Sequence, residues 1–230
     1  NSIANNEFVD WEDELVSSGI VNSHSISLVG GSDKTKVYGS LNYFKEEGII
    51  PTSSYTRKNL RLNVDQEITD KIAVRFDVNI LNDDIERAAN VNVITTSPLG
   101  KAYNDDGSIK QYPSGEEGTA FNPLWNLNEQ DDDEKGNDYV INFIPTYQIT
   151  DNLKYQLTTS LTRKTSERAR YQSSLSSSGD DVRGRAIIDN QLREAFFVEN
   201  ILNYDKKFNE DHKFNLTLAQ TIDENKYSRT

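Results

Sequence analysis

Between Lys58 and Ile68 apolar and polar residues alternate: Leu60, Leu62, Val64 and Ile68 fall on one phase, and Asn59, Arg61, Asn63, Asp65 and Glu67 on the other. A period of two marks a strand with one apolar face. After Thr69-Asp70-Lys71 the pattern resumes, with Ile72, Val74, Phe76, Val78 and Ile80 opposed to Ala73, Arg75, Asp77 and Asn79, so the two runs predict an antiparallel hairpin. The unit recurs three times at irregular intervals. His24, Ile26 and Leu28 turn through Gly30–Thr35 into Val37, Gly39, Leu41 and Tyr43. Tyr139, Ile141, Phe143, Tyr147 and Ile149 turn through Thr150-Asp151-Asn152 into Leu153, Tyr155, Leu157 and Leu161. Phe196, Val198, Leu202 and Tyr204 cross Asp205–His212 to reach Phe214, Leu216 and Leu218, although Phe197 and Ile201 fall on the polar phase of that first strand.

Eight strands of about ten residues follow, each spanning about 23 Å along a barrel axis at a tilt near 45°, close to the ~25 Å apolar band of an outer-membrane barrel. The turns within hairpins are short, whereas the connections between them cover residues 46–57, 82–137 and 165–193. This asymmetry predicts an all-β chain, an antiparallel transmembrane β-barrel with short periplasmic turns and long extracellular loops. Residues 22–230 make up the barrel part, and residues 1–21 a plug-to-barrel or first-loop segment. A soluble sandwich also alternates, and a complete eight-stranded barrel with a filled lumen would satisfy the same count. The Asn, Gln, Ser and Thr residues on the non-apolar phase suit a hydrated lumen and favour a barrel. Sliding the Lys58–Ile68 strand by one residue would turn Arg61 toward lipid at a cost of roughly 2–4 kcal/mol at mid-bilayer. Tyr43, Tyr139, Tyr147 and Tyr204, near strand ends on the apolar phase, sit where aromatic girdles lie.

Composition narrows the chemistry. The 230 residues carry a net charge of −12, which argues against a nucleic-acid partner. The longest apolar run is Ala195-Phe196-Phe197-Val198, far short of the roughly 20 residues of a membrane helix. Cys is absent and His24 and His212 are far apart, so no thiolate site, His-based zinc site or histidine triad can be assembled. Met is absent too, which reads as a processed chain or an internal piece. No P-loop, Gly-x-Ser-x-Gly or His-Glu-x-x-His motif occurs, and the chain reads as a non-enzyme.

Val9-Asp10-Trp11-Glu12-Asp13-Glu14-Leu15, the Asn22–Tyr38 stretch with its Gly30-Gly31-Ser32-Asp33-Lys34-Thr35 turn, Tyr43–Ile50 with Glu47-Gly48-Ile49, and the Arg57–Asp70 strand resemble, in order and spacing, the SusC/RagA family of TonB-dependent outer-membrane transporters. Asn122-Pro123-Leu124 is a weaker echo. The resemblance implies early strands of a barrel of about 22 strands, in the outer membrane of Bacteroidota-type bacteria. It implies uptake of glycan or peptide oligomers, power supplied through the TonB complex, and a SusD-like surface lipoprotein as lid. No plug, TonB box or aromatic-terminated last strand is read here, so energy coupling is assigned to no residue. The alternatives are the complete small barrel as adhesin or anchor, and a secreted carbohydrate-binding sandwich.

The long connection between Asp83 and Asn137 is the place to look for binding, since loops of that length are functional or disordered. Tyr103 and Tyr112 flank Asn104-Asp105-Asp106-Gly107, a tight-turn signal, and are candidates to stack on substrate. Trp125 is a third candidate, although with Phe121 it could instead form a small core within the loop. On the lumenal phase Arg61 and Arg75 could meet substrate or plug, or pair with Asp65, Asp77 and Glu67 across strands. Asp131, Asp132, Asp133 and Asp138 could hold calcium in an acidic extracellular loop, as could Asp180-Asp181, although a run of like charges is more often a solvated loop.

Overall fold

The computed structural model describes residues 8–89 and 96–230; residues 1–7 of the leading segment and 90–95 of the long connection lie outside the described residues. A short helix α1 (Trp11–Leu15) precedes β1 (Val21–Gly31), β2 (Thr35–Glu47), β3 (Ser54–Thr69) and β4 (Ile72–Glu86). Helix α2 (Pro123–Asn128) then leads into β5 (Gln130–Thr150), β6 (Leu153–Gln172), β7 (Arg185–Lys207) and β8 (Lys213–Arg229). All eight strands pair antiparallel with their sequence neighbours in one sheet of order β1 to β8. β1 and β8 do not pair with each other, which removes the closed eight-stranded barrel, and a single sheet has no second layer to make a sandwich. No helix among the described residues is long and apolar enough to cross a membrane.

The register makes the apolar phase continuous from strand to strand. One row of partners runs Leu28, Gly39, Leu62, Val78, Ile141, Leu161 and Phe196, and the next runs Val37, Val64, Phe76 and Phe143. Leu28, Ile141, Phe143, Leu161 and Phe196 are exposed on this face and the other large side chains of the two rows are half-buried, which is the demand of a surface solvated by lipid rather than water. The tyrosines read as girdles lie at the two margins of the apolar band: Tyr43 stacks with His24 at 6.4 Å, and Tyr204 meets Phe214 at 6.2 Å. Asn200, on the apolar face, has its amide oxygen occupied by the Tyr155 hydroxyl at 2.6 Å, so its polarity is partly quenched within the band.

Short turns close the hairpins by local chemistry. Thr69 Oγ1 accepts from the backbone N–H of Lys71 and of Ile72 at 3.2 and 3.1 Å, and a bulge between Glu67 and Thr69 fits this turn to the strand twist. In the β1–β2 turn a side chain at Gly31 would stand 2.1 Å from the Thr35 carbonyl, so only glycine fits. Pro145 lies inside an interior strand, where it cannot donate, and the β5–β6 pairing skips Ile144 and Pro145.

The strands are longer than their alternation suggests: β5, β6 and β7 have 21, 20 and 23 residues. They run into stretches read from the sequence as the loops 82–137 and 165–193. Above Ile80, Tyr139 and Leu161 the outward positions turn polar, as at Asn82, Asp84 and Glu86 of β4 and at Asp131, Asp133, Lys135 and Asn137 of β5. With polar residues on both faces the period of two becomes invisible, while backbone pairing continues. At ~3.3 Å per residue the upper halves stand clear of a ~25 Å apolar band.

The buried core is small and lies at the rim. Trp11 and Leu15 of α1 pack with Ala102, Leu124 and Leu127 of the long connection. Ile50 of the β2–β3 turn and Ile109 cover this cluster. The Trp11 indole donates to the Ser97 carbonyl at 3.0 Å, and Val9 N–H to the Pro98 carbonyl at 2.8 Å. Asn122, fully buried, caps α2 through Leu124 N–H and donates to the carbonyls of Ala102 and Lys110 at 2.8 and 2.7 Å. The β6–β7 connection joins the lobe, where the Trp125 indole donates to the Leu175 carbonyl at 2.8 Å.

Candidate functional site

Alternation places Asp132, Glu134 and Asp138 of β5 and Lys164, Ser166, Arg168 and Arg170 of β6 on the polar face that also holds Arg61 and Arg75. The hairpin thus carries an acidic edge beside a basic one. Arg168 forks onto Asp132 with contacts of 2.6 and 2.5 Å, the bidentate geometry that guanidinium and carboxylate favour. Arg87, one residue past β4, reaches Glu134 at 2.6 Å and lies 3.7 Å from Asp132. Ser166 donates to Glu134 at 2.7 Å, and Lys164 meets Asp138 at 2.5 Å. Farther round, Asp189 receives Arg170 at 2.7 Å and Arg229 at 3.1 Å.

These groups stand above the apolar band, and their titration follows their contacts. The Arg168 hydrogen bonds hold Asp132 below the usual carboxylate range, with Arg87 assisting. The Ser166 hydroxyl and then Arg87 do the same for Glu134. Asp83 moves the other way, because burial raises its value and the nearby charges of Asp138 and Glu134 raise it further. A carboxylate lowered on folding adds stability that is complete above its unfolded value, near 3.8 for Asp132, and that is lost as pH falls through the lower folded value. Asp132→Asn should therefore melt below the wild type at pH 7, and the gap between the two should close as pH drops under about 3.8. Thermal unfolding of both proteins in detergent across pH checks this, and a gap constant with pH would contradict it.

A cavity of about 720 Å³ opens on this polar face between β4 and β8, within the size range of small-molecule sites. Asp83, Glu134 and Asp138 line one side, Lys164 and Arg193 the other, and Tyr227 closes it from β8. Gly136 forms part of the wall because a Cβ there would lie 2.2 Å from the Asp83 carboxylate. A smaller recess of about 340 Å³ near the short turns is lined by Lys36, Asp65, Arg75 and Lys154.

The residues singled out from sequence are spread over the molecule. Tyr103 pairs with Ile109 across the Asn104–Gly107 tight turn, and its hydroxyl donates to Glu14 at 2.7 Å. Tyr112 packs on Phe121 with ring centroids 5.0 Å apart. With Trp125 these side chains belong to the rim lobe, and none lines the 720 Å³ cavity. Arg75 holds Asp65 at 2.6 Å in the lower recess, while Arg61 is exposed on the polar face and lines neither opening. Strand alternation sends Asp131 and Asp133 to the face opposite Asp132 and Asp138. Among the described residues no group of three or more His, Asp or Glu side chains is placed to hold a metal ion. Arg87, Arg168, Arg170, Arg193 and Asp83 were not singled out. The β5–β6 register sets Asp138 opposite Lys164, Glu134 opposite Arg168 and Asp132 opposite Arg170, but an irregularity between Gln148 and Thr150 shifts it by one residue from a projection of the Asp151-Asn152 turn, so the turn alone would have misplaced these pairs.

No family model matches the chain. Curated relatives include TonB-dependent receptor P3 of Formosa agariphila, 27% identical over 212 residues that cover 86% of this chain and 21% of the relative. TonB-dependent receptor P26 of the same organism is 27% identical over 210 residues, 89% of this chain and 21% of the relative. Among solved structures, the RagAB peptide transporter superposes with a TM-score of 0.77 at 15% identity, over 97% of this chain and 27% of that chain. The RagAB peptide importer in its open-open state gives 0.75 at 13% identity, over 96% and 30%. The chain spans about a fifth of the length of the curated relatives it matches. These likenesses bear out the resemblance carried by the Trp11, Gly30-Gly31 and Glu47-Gly48 motifs, and the fold as a stretch of such a barrel.

Proposed function

We propose that this chain, a barrel segment of the TonB-dependent receptor kind, forms part of the wall of an outer-membrane importer that admits oligomers under a surface lipoprotein lid. One observation carries the reading: a single open sheet with a continuous apolar band on one face and an ionic, cavity-bearing surface on the other. Such a sheet needs lipid outside, water inside and further strands at both edges. Transport, rather than reaction at a site, also fits relatives named as receptors and a transporter. Glycan and peptide both remain admissible cargo at this level, and the TonB complex supplies energy through parts that lie outside the matched segment.

Topology tests the proposal. In the full-length protein a cysteine replacing exposed Ser178, in the long β6–β7 connection, should react with a membrane-impermeant maleimide on intact cells. A cysteine replacing Asp70, in the short β3–β4 turn, should react only after the outer membrane is permeabilised. The reverse pattern would invert the orientation, and equal labelling of both would remove the membrane altogether. Uptake is tested separately, by deleting the gene and following the import of labelled peptide and glycan oligomers.

A further inference from the structure

The cavity on the polar face holds two charged groups of opposite sign that enter no ion pair among the described residues. Asp83 makes no ion pair or side-chain hydrogen bond among the described residues, although Lys164 and Arg87 satisfy its acidic neighbours Asp138 and Glu134. Burial and those neighbours destabilise its ionised form, and an incoming cation would relieve that cost. On the opposite wall Arg193 has no carboxylate partner among the described residues; Lys164, its cross-strand neighbour, is committed to Asp138. Neither group contributes a contact to the ion-pair ladder, yet both face the same space.

Their separation follows from the register. Asp83 pairs with Gly136, Lys164 pairs with Arg193, and β4 is three strand spacings from β7. Three spacings of ~4.8 Å and a two-residue offset along the strands place the two backbones roughly 15 Å apart. An extended peptide advances about 3.3–3.6 Å per residue, so about four residues cover that span.

We propose that this cavity is a subsite for a short peptide with free termini, its ammonium received by Asp83 and its terminal carboxylate by Arg193. The assignment rests on the importer reading above and narrows its cargo. A neutral glycan offers neither charge and would leave both groups unpaired. Gly136 belongs to the device, because any side chain there would displace the Asp83 carboxylate from the cavity wall.

The test uses the full-length protein purified in detergent, with calorimetric titration of tetra-alanine, its N-acetyl form, its C-terminal amide, and maltotetraose. Tetra-alanine should bind, and each blocked form should bind at least tenfold more weakly. Arg193→Gln should remove the discrimination against the amide while keeping that against the acetyl form; Asp83→Asn and Gly136→Ala should do the opposite. Arg193→Lys, which keeps the charge, should retain most of the amide discrimination and guards against a variant that merely misfolds. Equal affinity for free and blocked peptides, absence of tetra-alanine binding, or preference for maltotetraose would overturn the assignment. Cells that import glycans alone would sink this subsite and leave the importer standing; loss of all oligomer-uptake dependence on the gene would remove the importer as well.

Discussion

Trp11→Ala should open the rim lobe while the strands stay assembled. Trp11 is 5% exposed, contributes the largest side chain of a core that holds four other buried apolar residues among the described residues, and anchors its indole N–H on the Ser97 carbonyl. Truncating such a side chain costs about 3–5 kcal/mol. A five-residue core has little reserve against that loss, whereas the sheet draws its stability from seven strand pairings that Trp11 does not touch. The readout is a cysteine replacing Ala102, 5% exposed beside Trp11. It should resist a maleimide on intact cells when Trp11 is present and react readily in the Trp11→Ala protein. The level of protein in the outer membrane should be unchanged. Protection of position 102 in the truncated protein would show that the lobe is held from elsewhere, for instance by the Asn122 hydrogen bonds.

This lobe is also where sequence was least informative. Within the apolar band, legibility was high because burial in lipid imposes a strict period of two, and the four hairpins, their pairing order and their outward faces follow from it. The Asn104–Gly107 turn was legible for a different reason, since its residues specify a local conformation. Trp11, by contrast, is 86 residues from its hydrogen-bond partner Ser97, and nothing local announces that contact. The acidic run Asp131–Glu134 read as a solvated loop or a calcium site because no apolar residue marks it as strand. Strand geometry instead divides it between two faces and gives Asp132 and Glu134 to arginines.

That division shows how the upper sheet persists without an apolar face. Arg87, Asp132, Arg168, Glu134 and Ser166 bridge β4, β5 and β6, and Asp189 with Arg170 and Arg229 continues the bridging to β8. Partly exposed ion pairs contribute little singly, but a network with bidentate geometry fixes register where hydrophobic patterning has ended. Asp83 and Arg193 stand inside this network without entering it, which is the reason they are open to a ligand. Stability of the upper sheet and availability of the cavity are thus separate properties of neighbouring residues.

The outward face admits a sharper test than any of these, by a pair of substitutions one residue apart. Phe143 sits in the apolar band between Phe76 of β4 and Thr159 of β6, and is 43% exposed in this open surface. Asn142, its neighbour, pairs with Asp77 and Ser160 and points to the polar face. Phe143→Arg places a guanidinium against hydrocarbon, at a cost of roughly 2–4 kcal/mol near the midplane. It should lower the amount of folded, heat-modifiable full-length protein in the outer membrane by tenfold or more. Asn142→Arg adds the same charge to a hydrated face, beside Asp77, and should leave that amount within twofold of the wild type. The contrast matters more than either value, because both variants carry the same added charge in the same strand, and only the direction of the side chain differs. If Asn142→Arg were the damaging member, the apolar face would line the interior and the assignment of lipid and lumen would have to be exchanged.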